Sequence, residues 1–489
     1  MAAKKKTPKV AGETLGLAAQ LEWVKAAPKL SSAVDPKKLP VLEPLDAETT
    51  TNVLRALASA KADAKFAAAV RNETTAESRD ALGVALLEIW KSKEFHGRLS
   101  WIMDAIGALG GDRSIMELAS HVAAWPKDGD TGRKRAIAAA GVLAHARTDT
   151  AILELMSLRQ TAVVPSVLEA TIHALGNAVA NRKTTLSELF DVVTPTLGLD
   201  QNGTRAFDHA GHTYTVAFDD HFEPRLRDAA GDLKDLDEEP AWNALASKLR
   251  DAVKVQTFRL EQDMIAGRRW SVEGWTRLLR DHPLMVSFTR RLVWGVYGED
   301  DALVTAFRTA EERTLLTKDG DMKLAGDERI GLVHPLQLSD ADRAAWGESL
   351  ADYEIIQPFP QIGRPIHHIE EAEKGDATYV KRYATSRFKS GVLRDVLVRG
   401  GWDRDSAFLR KEYERHYPSD GVWAIATMEP GVQAGMATYD QYDQTIATIE
   451  FREKKGGGKS RTPMPLADVP LVPFSEAIRD IAEVLAAQD

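Results

Sequence analysis

The chain has 489 residues, 44% hydrophobic and 28% charged, with a net charge of −9 and no cysteine. That length exceeds what one core fills, so several domains are expected. The composition excludes disulfides, thiolate nucleophiles, zinc fingers and cysteine-held iron–sulfur clusters, and the acidity argues against a chain-wide footprint for nucleic acid.

Residues 1–45 are rich in Lys, Ala and Pro and read as a flexible N-terminal segment. No apolar h-region follows Met1-Ala-Ala-Lys-Lys-Lys, and no window approaches the ~18 apolar residues of a membrane span. A cytoplasmic protein without membrane contact is expected. Residues 46–200 carry Ala and Leu at helical spacing, and a repeat lies within them. Ala108-Leu-Gly leads into Ile115-Met-Glu-Leu118, Gly141-Val-Leu into Ile152-Leu-Glu-Leu155, and Ala174-Leu-Gly into Leu186-Ser-Glu-Leu189. Each unit reads as two antiparallel helices, with Asp112, Thr148 and Thr184 placed to cap the second. One such pair cannot bury its apolar faces alone, so neighbours are expected to stack as an α-solenoid resembling HEAT repeats.

The pattern changes near residue 200. Thr204–Phe218 alternates around Ala210-Gly211, a hairpin signal. Residues 201–298 are expected to join this hairpin to a helix over about 239–267 and further helical segments to about 297. Residues 299–489 read as an α+β C-terminal domain. In it, 329–335 is a strand, Ser339–Leu350 a capped helix, and Tyr439–Arg452 ends in a strand. A flexible basic loop at 454–461 and a closing segment, Pro473–Asp480 with a short helix, follow. The expected fold is therefore mixed: an N-terminal α-solenoid, then an α+β region.

Arg225-Leu-Arg-Asp-Ala-Ala-Gly231, Arg268-Arg-Trp-Ser271, His282-Pro-Leu-Met285, Leu292-Val-Trp-Gly295, Ile330–Pro335, Tyr353–Gln361, Val398–Trp402 and Phe474–Asp480 occur in this order. Together they resemble the bacterial domain of unknown function 4132 family, which includes proteins labelled molybdate-metabolism regulators of the MolR type. The resemblance implies HEAT-like repeats beside the domain and supplies no catalytic motif. Some relatives carry a Trp-Gly-Arg domain, and none is legible here.

Several residue groups are candidates for chemistry. Arg268, Arg269 and Trp270, with His282, Arg290, Arg291 and Trp294, could line an anion pocket, since guanidinium forks suit carboxylate or phosphate. Alternatively they pack a junction, the arginines pairing with acids such as Glu261, Asp263 and Asp281. The Pro-restrained segment 353–365 carries Gln357, Gln361 and Arg364, either to face a ligand or to satisfy buried backbone. His209 and His212 near Asp208, and His367 and His368 near Glu370 and Glu371, are poor metal sets, because adjacent side chains of a strand point apart. Neither metal nor cofactor is expected. Gly456-Gly-Gly-Lys-Ser460 lacks the first glycine and the following helix of a phosphate-binding loop. No Gly-x-Ser-x-Gly or His-Glu-x-x-His is present, and the chain is read as leaning away from enzymes.

The most basic window, 381–417, holds ten Lys or Arg against five acids, a balance of +5, with interleaved aromatics. Arg387, Lys389, Arg394, Arg399 and Trp402 could engage phosphates and bases. Alternating charge on a solvated helix accounts for Arg410–Arg415 equally well. The expected function is a non-enzymatic scaffold or adaptor that binds a protein partner through a helical-repeat surface and has a regulatory use. An enzyme or a nucleotide or anion sensor using an Arg/Trp/Gln pocket, and nucleic-acid binding through the basic 381–415 segment, are the alternatives.

Overall fold

A computed structural model describes residues 16–22, 24, 29–59, 62–236, 238–310, 312–404, 409–433, 442–454 and 461–487. The backbone contacts divide the chain into two units, Met1–Leu189 and Phe190–Asp489.

The first unit is helical: α1 (Leu17–Gln20), α2 (Ala47–Ala58), α3 (Ala64–Glu73), α4 (Ala76–Ser92), α5 (Trp101–Leu109), α6 (Asp112–Ala124), α7 (Gly129–His145), α8 (Asp149–Thr161) and α9 (Pro165–Arg182), with α10 (Leu186–Val193) spanning the division. Asp46, Asp63, Thr75 and Thr148 each accept a backbone N–H of the first turn that follows them, satisfying donors a helix leaves open. Leu118, Leu155 and Leu189, the repeated positions, are all buried. Thr148 caps α8 as its sequence predicts, but the two neighbouring caps differ. Asp112 is itself the first residue of α6, and the carboxylate of Asp80 on α4 accepts from Gly111, Arg113 and Ser114 N–H instead. At α10 the cap is Thr185 rather than Thr184: Thr185 Oγ1 accepts from Glu188 N while Glu188 Oε2 accepts from Thr185 N. That reciprocal pair is a capping box, which makes Thr185 the better cap because Glu188 stands three residues on. From α4 to α9, helices next in sequence pack together, and α4 packs on α6, α6 on α8, α5 on α7 and α7 on α9, while α2 and α3 pack on α5.

Among the described residues, the second unit contains three antiparallel sheets. The first is a meander of β1 (Arg205–His209), β2 (His212–Phe218), β3 (Pro224–Arg227) and β4 (Leu233–Lys234). Its predicted hairpin has His209 opposite His212, with Ala210 at φ 48° and Gly211 at φ 79°. Two left-handed residues in a two-residue loop match the twist of the flanking strands. The long helix α11 (Pro240–Ile265) follows.

The next sheet has the order β5-β10-β6-β7-β8-β9, built from β5 (Trp270–Ser271), β6 (Trp294–Tyr297), β7 (Leu303–Thr309), β8 (Leu315–Thr317), β9 (Gly320–Met322) and β10 (Arg329–Leu332). The short helices α12 (Val272–Trp275) and α13 (Val286–Thr289) lie between β5 and β6. The expected helical run to 297 thus stops early. Trp294–Tyr297 is buried at every position, so it shows none of the alternation that marks a strand. Trp275 meets Trp294 and Phe307 edge-on at centroid distances of 5.6 Å. Ser339 caps α14 (Asp340–Asp352), accepting from Asp342 N.

The third sheet runs β11-β16-β15-β14-β13, with β12 and β17 also on β16: β11 (Tyr379–Val380), β12 (Arg387–Lys389), β13 (Asp403–Arg404), β14 (Leu409–Tyr417), β15 (Val422–Gln433), β16 (Asp443–Lys454) and β17 (Arg461–Pro463). Between β12 and β13 stands a single turn, α15 (Ser390–Val392). Arg410–Arg415 therefore lies in a strand paired with β15, not a solvated helix, and its alternation puts Tyr413, Arg415 and Tyr417 on one buried face. The closing segment is one helix, α16 (Leu471–Ala486), which buries Phe474, Glu476, Ile478 and Asp480. The loop at 455–460 lies outside the described residues. Among the described residues, no helix is long and apolar enough to cross a membrane.

Candidate functional site

Helix α11 carries charge on more than one face. Gln256, Arg259 and Asp263 recur at helical spacing, so they share a face, and all three are buried. The Arg259 guanidinium meets Asp191 and Asp263, and donates to Gln256 Oε1 and Thr194 Oγ1. Burial pulls it below its usual value, against the two carboxylates. Arg268 closes the cluster on Asp191 and Asp263 and lies over the Trp270 ring at 4.6 Å. Trp270 Nε1 donates to Asp191 Oδ2 at 3.4 Å.

Glu261, about 200° round the helix from Arg259, belongs to a second network. Arg364 Nε and Nη2 donate to the two oxygens of Glu476, both at 2.6 Å, and Nη1 donates to Glu261 Oε1 at 2.7 Å. His334 Nδ1 accepts from Leu336 N, which leaves Nε2 to donate to Glu476 Oε1 at 2.9 Å. Burial pushes the Glu476 carboxyl up, but the hydrogen bonds of Arg364 and His334 outweigh it and hold it well below the carboxylate range. One turn on, Asp480 accepts from Trp402 Nε1 at 2.8 Å and from Arg415 Nη1 at 2.5 Å, while Arg415 Nη2 donates to Gln262.

The candidate anion residues are therefore not brought to one opening. Arg268 and Trp270 sit in the first network and Arg364 in the second. Arg269 lies over the Tyr297 ring at 3.4 Å and within 3.5 Å of Asp301. Arg291 donates to the carbonyls of Asp219 and Asp220. His282 Nδ1 accepts from Leu284 and Met285 N–H. Gln361 accepts from Val293 N and donates to the Val293 and Val333 carbonyls; Gln357 donates to the Arg291 carbonyl and to Gln361. These amides tie the crossover to the backbone of neighbouring elements, which is the structural half of the expectation.

The basic window is dispersed too. Arg387 is exposed on β12, Lys389 pairs with Asp443 and Arg399 with Asp395, while Trp402 is buried and cannot stack on a base from outside. The Arg394 side chain lies outside what is described. His209 pairs with Glu239, and His367 N donates to Ser475 Oγ. Among the described residues, no group of three or more His, Asp or Glu has the arrangement to hold a metal.

Clefts open on the surface of this unit among the described residues. One, about 320 Å³, is lined by Leu197, Arg205, Ala241, Ala244, Leu245 and Lys248. A second, about 250 Å³, lies between β3, β4 and the start of α11, against Arg225, Leu226, Lys234, Asp235, Trp242 and Arg250. Sequence reading singled out neither Arg250 nor Trp242 nor the buried pair Glu476–His334. The available signal for the second cleft was Arg225, which opens the first family-like block.

Comparison with known proteins gives three findings. The uncharacterized protein YehI of Escherichia coli (strain K12) is 30% identical over 296 residues, 57% of this chain and 24% of that protein. The chain thus spans about a quarter of the length of the curated relative it matches. No solved structure matches it. Residues 225–402, which include β3, α11 and the Gln357–Arg364 crossover, match the family described as Domain of unknown function (DUF4132), and over that stretch the chain is similar to this family.

Proposed function

We propose that the chain is a non-enzymatic cytoplasmic scaffold or adaptor, with a regulatory use of the kind the MolR-type resemblance implies, that holds a protein partner on its N-terminal helices. The observation that carries this reading is the packing order of the first unit. Each of α4, α5, α6 and α7 touches both the next helix and the one after it, the order expected of HEAT-like pairs stacked as a solenoid. Such stacks bury their core between neighbours and keep long outer faces for a partner. The internal pairing of Arg268 and Arg364 favours this reading over an anion pocket, and the burial of Trp402 favours it over nucleic acid.

The test is cross-linking of the full chain in its host cells with a lysine-reactive reagent. Partner peptides are expected on Lys65, Lys91, Lys93, Lys127, Lys134 and Lys183 of the helical unit. Links confined to residues 190–489, or no links to another protein, would overturn the proposal.

A further inference from the structure

The cleft beside β3 and β4 is built differently from the interior networks. Its wall holds Arg225, Lys234 and Arg250 and, of acids, Asp235. Each cation is held by an acid outside the lining: Arg225 Nε by Asp219 at 2.8 Å, Lys234 by Asp228 at 2.8 Å, and Arg250 Nε by Glu223 at 2.7 Å. Two of those acids are themselves fixed. Asp219 Oδ1 accepts from His221 and Glu223 N–H, and Asp228 Oδ1 from Ala230 and Asp232 N–H. The turns after β2 and β3 therefore act as posts that hold the cations by one edge.

Both arginines are engaged through Nε alone. Among the described residues, neither Arg225 nor Arg250 has a hydrogen-bond partner on its terminal nitrogens, so two guanidinium forks remain for a ligand. The acids behind them steady these forks without covering them. The nearly buried side chains of Leu226 and Trp242 form an apolar floor, against which charge is screened less than in open water. A volume of about 250 Å³ equals roughly eight waters at ~30 Å³ each, enough for a compact polyanion and too small for most drug-sized ligands.

We propose that this cleft, formed by β3, β4 and the first half of α11, binds a small multivalent oxyanion, gripped by the free ends of Arg225 and Arg250 and by Lys234. The class takes in phosphate and carboxylate bearers alike, since both offer oxygens in the geometry a guanidinium fork accepts. This site is independent of partner binding by the helical unit, and neither outcome there bears on it.

Titration calorimetry on the full chain separates the two sources, with pyrophosphate and citrate as probes at constant ionic strength. At least one probe is expected to bind at a 1:1 ratio with a Kd below about 1 mM, and the tighter one names the group recognised. The double substitution Arg225→Gln/Arg250→Gln is expected to weaken it at least about tenfold, since charge-assisted hydrogen bonds are lost. Lys318→Ala, at an exposed pair with Asp342 outside the cleft lining, is expected to leave it unchanged. Circular dichroism checks that the double variant is folded; both arginines are about half exposed, so their loss spares the core. No saturable heat from either probe, or equal binding by the double variant, overturns the proposal.

Discussion

Replacing Arg364 by Met isolates the value of the second buried network. Arg364 and Glu476 each have a side chain with no exposed surface, and three charge-assisted hydrogen bonds of 2.6–2.7 Å converge on the guanidinium. Its removal leaves Glu476 ionised in the interior with His334 and, at 3.4 Å, Arg479. Taking one member from a buried pair costs about 3–5 kcal/mol, because the remaining charge stays desolvated. The double change Arg364→Met/Glu476→Met removes both charges and is expected to cost clearly less than the sum of the single changes. Guanidinium unfolding followed by hydrogen–deuterium exchange of peptides from 471–486 reads this locally, as a chain of two units requires. The pH dependence has a definite sign. The folded Glu476 carboxyl is held below its unfolded value of about 4.3, so its contribution is complete above that pH and is lost as the pH falls toward the folded value. Glu476→Gln should flatten the acid limb for these peptides. A loss below about 1 kcal/mol for Arg364→Met, or a double variant worse than the sum, would refute the reasoning.

Trp402→Phe removes the indole N–H that Asp480 accepts, and should cost about 1–3 kcal/mol in the same exchange assay, from one buried acceptor bond and some packing. Ala210→Gly should stabilise the 205–218 hairpin by about 0.5–1 kcal/mol, because Ala210 sits at φ 48°, where glycine carries no Cβ penalty; slower exchange of β1 and β2 amides checks it. Gly132→Ala should destabilise α7 by several kcal/mol, since a Cβ there overlaps the Trp125 carbonyl oxygen. A wild-type thermal midpoint for the first unit would exclude that clash.

What the sequence revealed was mostly local. Ala210-Gly211 between alternating stretches declared the hairpin, and Thr148 and Ser339 declared their helix starts, because those caps act within three residues. Asp80 could not be read as the cap of α6, since it reaches Gly111 across 31 positions from another helix. Trp294–Tyr297 looked helical because a strand buried on both faces loses its two-residue period. The same distance problem hid the site candidates. Arg268, Trp270 and Arg364 are adjacent to the expected chemistry in composition, but Asp191, Glu261 and Glu476, which engage them, come from positions up to 112 residues away. Arg250 and Trp242 sit on an ordinary amphipathic helix, and only β3 and β4 turn them into a cleft wall.

The charges on α11 also bear on which changes of length the chain can absorb. One residue added or removed between Arg259 and Glu261 would turn everything beyond it by about 100°. Asp263 would then leave Arg259, and Glu261 would leave Arg364, so two desolvated carboxylates would lose their partners together. A length change in the exposed turn at 228–232 would instead disturb the half-exposed pair of Asp228 with Lys234 and leave the interior intact. Relatives of this chain should accordingly vary in length before α11 and keep the spacing of its second half constant, because that helix is indexed by charge on both of its sides.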